Sequence, residues 1–503
     1  MKKRVWSIVA VLCCSLGARA QGGSESLPKA DTAFNRGYFV VRGTSVNKPE
    51  KTETWQLAVT DYIHNRTYDV PVAANGAFER KIPVTDIQDA YLYLGDAVTV
   101  FTCPGDTLSV FFDWNEPLET LRVEGTTPER NRELALCLEL YRKYRKRGLA
   151  LSDFRARENV SMTASELEPV KSYYEDRTKA IRDFVAEHGP VPRERKFLED
   201  TYYEVLYQGA ANTQWLDTLV YGCGVTSSGD LHGSGGRYLP AYRVLRPELF
   251  RESAIYRQFL EFFYVYSTTE CLNRFLDVTR QEDFSDRMIR QFRCTWGMIA
   301  APLLRDWMIA RDLMKGYPYT PFDRMEPLYR EFERICETPA FFSELSGVRE
   351  QYVRFRPGSS APDFEFPDTA GNTVRLSDFR GKLVYLDFWG TFCGPCIAQF
   401  SHLPALHGKY KDYEKEIAYV YVCVDTGGKR WKDAVERHGL QGVNLSGEGW
   451  ENNPWVKAYG VEGIPQYVLI DREGKIIEYG CAMPSQLLGA GENVLDRALG
   501  RQP

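Results

Sequence analysis

Hydrophobic and polar residues alternate with a period of two along residues 36–124, the pattern of strands that bury one face. Turn-forming pairs such as Asn75-Gly76 and Pro104-Gly105 separate the apolar runs. Many short strands with regular turns predict a β-sandwich domain over residues 21–126. The segment has no sequence cluster of His, Asp and Glu that would indicate chemistry, so we interpret it as an interaction or packing module.

The apolar period changes to that of helices after Pro128. One segment places four residues on a single helical face: Leu134, Cys137, Leu138 and Tyr141. We expect an all-α domain over residues 127–348, interrupted by the segment SSGDLHGSGG at 227–236. That segment lacks the Lys-Ser or Lys-Thr pair of a phosphate-binding loop, so a flexible loop with a solvated His232 is predicted.

Strands and helices alternate in the last part of the chain, after a linker rich in Pro, Gly and Ser. Three buried strands are predicted at LVYLDFW, IAYVYVCVD and QYVLID, and a helix runs from the CGPC stretch to about Tyr413. A final helix is expected through SQLLGAGENVLDRAL. This rhythm predicts a compact α/β domain over residues 349–503, and therefore a chain of three domains.

The first twenty residues have the composition of a secretory signal peptide. Basic residues at 2–4 precede an apolar run at 5–16 and the small-residue site Ala18-Arg19-Ala20. The apolar run is too short to span a bilayer, so we predict that residues 1–20 are removed and that the protein is exported. The formal net charge of −5 becomes more negative without this segment, which argues against a nucleic-acid partner.

Two cysteines stand two residues apart in WGTFCGPCIAQF, residues 389–400. A zinc site would need further ligands, and the nearest candidates, His402 and His407, lie on the same predicted helix. A structural bridge is also disfavoured, because so short a loop constrains the unfolded chain little. The third alternative, electron transfer, fits best, since Cys393 begins a helix whose dipole favours an accessible thiolate and Cys396 follows one turn later, shielded. We predict no metal and no cofactor.

Eight cysteines are scattered through the remainder of the chain without the spacing of metal ligands: Cys103, Cys137, Cys223, Cys271, Cys294, Cys336, Cys423 and Cys481. Buried small hydrophobic residues, with an occasional bridge among them, are the simplest interpretation.

Two longer segments, APDFEFPDTAGNTVRLSDFRGKLVYLDFWGTFCGPC and GVEGIPQYVLIDREGKI, resemble the thioredoxin superfamily. They are most similar to its TlpA/ResA-like branch of exported thiol-disulfide oxidoreductases with a redoxin-like domain. The resemblance covers roughly residues 358–500 and implies a thioredoxin-like fold there. The preceding β and helical regions loosely resemble the N-terminal extensions of such proteins.

The resemblance assigns roles to individual residues. It implies that Cys393 attacks a substrate disulfide and that Cys396 resolves the mixed disulfide. Pro465 corresponds to the family's cis-proline, and Ile464 before it would offer backbone groups to an extended substrate. Trp389 matches the aromatic residue before the cysteine motif and joins the expected substrate-binding residues.

Three positions near the motif distinguish this chain. Phe392 replaces the Trp that commonly precedes the first cysteine, and Gln399 stands where a number of relatives carry Glu. Asp387 matches the buried Asp of thioredoxin. A buried carboxylate costs several kcal/mol unless it is paired, so we expect Asp387 to serve as the base that deprotonates Cys396. The alternative is a carboxylate at the strand end that reaches solvent.

The direction of electron flow follows from the residues between the cysteines. Gly394-Pro395 offers no positive charge to stabilise a thiolate, so the dithiol should be a good reductant. We therefore predict a periplasmic reductase of protein disulfides, supplied with electrons by a membrane-bound donor. A redoxin-type thiol peroxidase is the enzymatic alternative, although Gly390 stands where such sites place Thr. A binding protein whose N-terminal domains recruit a partner is the non-enzymatic one.

Overall fold

The computed structural model describes residues 34–63, 65–155, 164–209, 246–261, 292, 295, 299 and 301–501. The predicted signal peptide and the predicted loop with His232 lie outside these residues. Contacts divide the chain into an N-terminal unit and a C-terminal unit, with the boundary between Leu276 and Asp277. Helices of the predicted all-α segment, residues 127–348, occur in both units, and the predicted domain boundaries stay predictions.

Two four-stranded sheets form the β part of the N-terminal unit. The first has the order β4-β1-β7-β8 and the second the order β3-β2-β5-β6. The strands are β1 Arg36–Val46, β2 Thr54–Thr60, β3 Asn65–Pro71, β4 Ala77–Thr85, β5 Gln88–Tyr93, β6 Ala97–Thr102, β7 Thr107–Asp113 and β8 Arg122–Glu124. Trp55 of the second sheet packs edge-on against Phe78 and Phe112 of the first, with centroids 5.5 and 5.9 Å away. Both sheets therefore contribute to one core, while the β-sandwich topology stays a prediction.

Helices follow these sheets in the same unit: α1 Pro117–Thr120, α2 Pro128–Arg155, α3 Ala164–His188, α4 Glu194–Gly209 and α5 Pro247–Glu252. A buried ion cluster lies where α2 begins. Arg130 donates to Asp106 Oδ2 from Nε at 3.1 Å and from Nη2 at 2.8 Å, and to Glu133 Oε2 at 3.2 Å. Arg193 binds both oxygens of Glu133, at 3.0 and 2.9 Å. The buried carboxylates of this cluster are thus paired with guanidinium groups, which offsets their loss of hydration.

The C-terminal unit begins, in the described residues, with three helices: α6 Pro302–Gly316, α7 Phe322–Ile335 and α8 Pro339–Val353. A short hairpin of β9 Glu365–Pro367 and β10 Thr373–Arg375 follows. The main sheet has five strands in the order β13-β12-β11-β14-β15. They are β11 Leu383–Trp389, β12 Ile417–Cys423, β13 Val443–Ser446, β14 Gln466–Ile470 and β15 Ile476–Tyr479.

The central strand β11 decides where the site forms. All seven of its residues are buried, as expected for a strand covered on both faces. It runs parallel to β12 and antiparallel to β14, so the end of β11 lies beside the start of β14. The chain leaves β11 at its carboxyl end, after Trp389, and enters the cysteine motif.

Short helices complete the C-terminal unit: α9 Gly394–Phe400, α10 Leu403–Lys409, α11 Gly428–His438, α12 Pro454–Ala458, α13 Pro484–Leu487 and α14 Val494–Ala498. Single-turn 3₁₀ helices occur at Leu376–Phe379, Lys411–Tyr413 and Trp450–Asn452. None of the helices in the described part of the chain is both long and apolar enough to cross a bilayer.

Two helix predictions are wrong in their extent. The helix that begins at the cysteine motif ends at Phe400, and α10 starts a new helix with Pro404 in its first turn. The predicted final helix is two helices: α13 ends at Leu487 and α14 begins at Val494, with Gly491 at a φ of +95° in the segment between them. Asn493 then caps α14, its side chain accepting from the Asp496 N–H at 3.0 Å.

Candidate functional site

Cys393 lies at the junction of β11 and α9. It is the N-cap residue of α9, and its Sγ accepts from the Cys396 N–H at 3.1 Å. Pro395 occupies the first turn, where its missing N–H leaves no helical bond unmade. Cys393 Sγ and Cys396 Sγ are joined in a disulfide, so this is the oxidised form of the motif.

Exposure differs between the two cysteines less than the sequence predicts. Cys393 is 5% exposed and Cys396 is fully buried. Their exposures follow the expected order in this oxidised form, and the accessibility of the Cys393 thiol in the reduced protein stays a prediction. Both belong to the hydrophobic cluster on one face of the sheet.

The peptide bond between Ile464 and Pro465 is cis, as predicted. Pro465 immediately precedes β14, whose first residue, Gln466, pairs with Phe388 of β11. The Ile464 side chain reaches the chain just before the cysteines, because a Cβ on Gly390 would lie only 2.8 Å from Ile464 Cδ1. The cis-proline loop therefore packs against the loop that leads into Cys393.

Asp387 is buried in the middle of β11. Its side chain is 0% exposed, so the alternative of a carboxylate that reaches solvent is wrong. Neither carboxylate oxygen has a hydrogen-bond partner among the described residues. Burial raises the pKa of this carboxyl well above its usual range, because the charged form loses hydration without a compensating donor or cation.

The face of the sheet that Asp387 occupies can be read from the strand alternation. Tyr385 and Trp389 lie two residues before and after Asp387, so the three side chains share one face of β11. Tyr385 and Trp389 belong to the same buried cluster as Cys396. Asp387 therefore points to the face of the sheet on which the resolving cysteine is buried.

A second carboxylate, Asp425, holds the loop before Cys393. Its Oδ1 accepts from the Thr391 N–H at 2.8 Å and from Cys423 Sγ at 3.2 Å, and its Oδ2 accepts from Thr391 Oγ1 at 2.6 Å. Arg430 adds a bond to Thr391 Oγ1 at 3.0 Å. Sequence reasoning missed Asp425. The sequence signal that could have found it is its position just after β12. Because β11 and β12 are parallel, residues that follow the two strands lie at the same end of the sheet.

The remaining predicted residues surround the motif. Trp389 is fully buried and packs edge-on against Phe400 at 5.1 Å, so its influence on a substrate would be through packing beneath the site. Phe392 is exposed and stacks on Trp450 with centroids 6.1 Å apart. Gln399 Oε1 accepts from the Ser485 N–H at 3.0 Å, which ties α9 to α13.

Metal-ligating side chains do not converge in the part of the chain that the structure describes: no group of three or more His, Cys, Asp or Glu could hold an ion there. His407 instead lies with Nε2 at 3.1 Å from the Tyr421 hydroxyl, and burial lowers its pKa. A neutral imidazole in contact with a tyrosine is consistent with a packing role on α10.

Comparisons with known proteins agree on the C-terminal region. A family model described as Redoxin matches residues 356–486. The thiol-disulfide oxidoreductase ResA of Bacillus cereus is 33% identical over 137 residues, which are 27% of this chain and 76% of that protein. ResA of Bacillus thuringiensis is 36% identical with the same coverage. A crystal structure of the thioredoxin domain of a thiol-disulfide oxidoreductase from Bacteroides vulgatus is 30% identical, with a TM-score of 0.24, and covers 26% of this chain and 91% of that one.

Proposed function

Because this chain belongs to the ResA-like thiol-disulfide oxidoreductases of the thioredoxin superfamily, we propose that it reduces protein disulfides with the Cys393-Cys396 dithiol. The observation that carries the proposal is the joint placement of three features on and directly after β11. These are a cysteine pair at a helix start, a cis-proline loop packed against the preceding loop, and a buried carboxyl without a partner.

The first step is a nucleophilic attack by Cys393. In the reduced protein its thiolate attacks one sulfur of the substrate disulfide, whose S–S bond breaks as the new bond to Cys393 forms. One substrate sulfur leaves as a thiolate, and the other stays bonded to Cys393. Pro465 and the backbone of Ile464 would hold the substrate chain extended across the site.

The second step needs a proton acceptor inside the protein. Cys396 must lose its proton before it attacks Cys393 Sγ, and water has no access to a fully buried thiol. Asp387 lies on the same face of the sheet, and in its ionised form the raised pKa makes it a stronger base than an ordinary carboxylate. When Asp387 accepts this proton, the Cys393–Cys396 disulfide forms and the second substrate thiolate is released. Two electrons have then passed from the dithiol to the substrate.

The local charge supports the reducing direction. Gly394 and Pro395 bring no cation to the thiolate, and an unpaired carboxyl opposes a second anion nearby. A dithiol that is stabilised so weakly gives up its electrons readily. A membrane-bound donor would restore it after each cycle. No cofactor is required by this chemistry.

The location and the N-terminal unit belong to the same proposal. Residues 1–20 would direct export to the periplasm, where disulfide substrates occur. We assign the two N-terminal sheets to a β-sandwich, because side chains of both meet in one core. The β-sandwich and the helices up to residue 348 would act as an extension of the catalytic domain.

Trapping the mixed disulfide tests the proposal directly. In the full chain Cys396→Ser should hold substrate proteins on Cys393 as covalent adducts that dithiothreitol releases, whereas the double variant with Cys393→Ser should hold none. Wild type mixed with a disulfide-linked peptide should convert it stoichiometrically to thiols. Consumption of hydrogen peroxide with no reduction of the peptide would instead identify a thiol peroxidase, and inactivity toward both would leave a binding function.

A further inference from the structure

The loop between α6 and α7 reaches the candidate site although it precedes the cysteine motif by some seventy residues of sequence. It has the sequence YPYTP at 317–321 and begins with a turn in which the Tyr319 N–H donates to Gly316 O at 3.0 Å. The Redoxin match begins at residue 356, so this loop lies outside the region shared with that family model.

Backbone contacts fix the loop against the sheet. Gly480 follows β15 with a φ of +72°, and a Cβ there would lie 2.7 Å from the carbonyl carbon of Tyr319 and 2.8 Å from Thr320 N. Only glycine allows the two chains to approach this closely. The backbone of the loop is therefore positioned by main-chain packing and not by its exposed side chains.

Aromatic stacking next to the Gly480 contact also holds the 317–321 loop against the sheet. Tyr479 of β15 stacks on Phe355, just after α8, with centroids 4.3 Å apart. The ring of Tyr352 in α8 lies 5.9 Å from the Tyr479 ring. Tyr352 in turn stacks on Tyr317 at 5.7 Å. The loop and the end of α8 thus share one aromatic cluster with the last strand of the sheet.

Tyr319 extends from this loop to the cis-proline segment. Its hydroxyl lies over Gly463, two residues before Pro465, so closely that a Cβ on Gly463 would overlap the hydroxyl oxygen. The side chain is still 37% exposed. Burial and then the negative charge of Glu462 raise its pKa, so the hydroxyl remains a neutral hydrogen-bond donor at physiological pH.

Two exposed aromatic side chains lie near the cis-proline segment. Tyr319 lies against Gly463, and the Phe392 ring lies near Gly390 together with the Ile464 side chain. A substrate chain that runs across the Gly463–Pro465 segment to reach Cys393 would therefore approach Tyr319.

We propose that Tyr319 is a specificity-determining residue that contacts the side chain next to the reactive cysteine of an extended protein substrate and favours apolar side chains there. The inference rests on the proposed disulfide reductase function and deepens it. The aromatic ring gives contact area at little cost in side-chain entropy, and Tyr319 lies before residue 356, where the Redoxin match begins, so this contact comes from outside the matched region.

Single-turnover reduction by the full chain tests this assignment. The probes are a disulfide-linked peptide with Leu beside each cysteine, the same peptide with Gly there, and the small molecule 2-hydroxyethyl disulfide. We expect Tyr319→Ala to lower the rate with the Leu peptide by about three- to tenfold, the size of one aromatic contact. The rates with the Gly peptide and the small disulfide should not change. Tyr319→Phe should retain the Leu preference.

Tyr93→Ala provides a matched control, since Tyr93 is 40% exposed and lies in the N-terminal unit. It should leave all three rates unchanged. An equal loss of rate with every probe in Tyr319→Ala would show a merely structural role and overturn the proposal, as would an unchanged Leu preference. Failure of the wild type to reduce any probe would instead refute the proposed function itself, so the two failures are distinguishable.

Discussion

Glu133 in the N-terminal unit and Asp387 in the C-terminal unit are equally buried, with exposed fractions of 1% and 0%. Their surroundings are opposite. Glu133 accepts three hydrogen bonds from Arg130 and Arg193, whereas neither oxygen of Asp387 has a partner among the described residues. A buried charge that is paired contributes to the fold, and one left unpaired costs free energy.

The difference shows how burial alone fails to identify a functional carboxylate. Both residues rank alike by exposure, but Asp387 has no partner among the described residues and burial raises the pKa of its carboxyl. In its ionised form it can take up a proton, whereas both oxygens of Glu133 are engaged by guanidinium groups. The comparison can be tested by nearly isosteric substitutions that remove the charge from each residue.

The largest effect is expected for Glu133→Gln. Removing this charge leaves Arg193 without its carboxylate and Arg130 with Asp106 as its remaining carboxylate partner, and breaking a buried pair in this way costs about 3–5 kcal/mol. Hydrogen exchange of peptides from α2 should show the lower opening free energy. Glu129→Gln is the control on the same helix, where an exposed pair with Arg132 at 3.4 Å should contribute little to stability. Equal losses in both variants would contradict the contrast.

Asp387→Asn should next affect the second chemical step. Without a base near Cys396 we expect resolution of the mixed disulfide to slow by about 10²-fold, the low end for general-base assistance. Ellman's reagent separates the two steps in stopped flow. Attack by Cys393 releases one thionitrobenzoate in a first phase, and resolution by Cys396 releases the other in a second phase.

The first phase should be nearly unaffected by Asp387→Asn. Asp433→Asn, at an exposed acid on α11 that pairs with Lys429, should change neither phase. A normal second phase in Asp387→Asn would show that this carboxyl is only structural.

The same variant should be more stable than the wild type, and increasingly so as the pH rises. Because folding raises the pKa of Asp387 above 3.8, the folded protein retains a proton that the unfolded chain releases. The stability of the wild type therefore falls from about pH 4 upward until the folded pKa is passed, and Asn does not titrate. The gain in stability of Asp387→Asn over wild type should therefore be larger at pH 7 than at pH 4.

Hydrogen exchange of β11 peptides in the oxidised protein, corrected for intrinsic rates at each pH, measures this gain. A stability difference between Asp387→Asn and wild type that is independent of pH would contradict the assigned protonation.

The smallest effect concerns Asp425, a half-buried carboxylate that is bonded by neutral donors on Thr391 and Cys423. Asn has one acceptor oxygen in place of two, so Asp425→Asn leaves one of the two Thr391 donors facing an NH₂ group, at a cost of about 1 kcal/mol. The loop before Cys393 should loosen, and the first phase with Ellman's reagent should slow by about fivefold. Asp433→Asn is again the control. A slowed second phase with a normal first phase would assign Asp425 to resolution instead.

Much of the C-terminal unit was predictable because its signals are local. An unbroken apolar run predicted the central strand, and it is buried on both faces at Leu383–Trp389. The motif around Cys393 and the resemblance around Pro465 predicted a helix start and a cis bond, and both are present. Helix lengths were less predictable, since one helix ended at Leu487 and another began after its cap at Asn493 inside a single apolar period.

The sequence by itself determined the type and order of these elements, the cysteine pair and the choice of Asp387 as the acid to examine. Only the tertiary structure decided that Asp387 has no partner, that Asp425 binds Thr391 and that Tyr319 covers Gly463. The physical reason is that periodicity and motifs record a residue's near neighbours along the chain. Pairing of a buried charge, or the approach of a loop to a site, depends on which distant segments the folded backbone brings within a few ångströms.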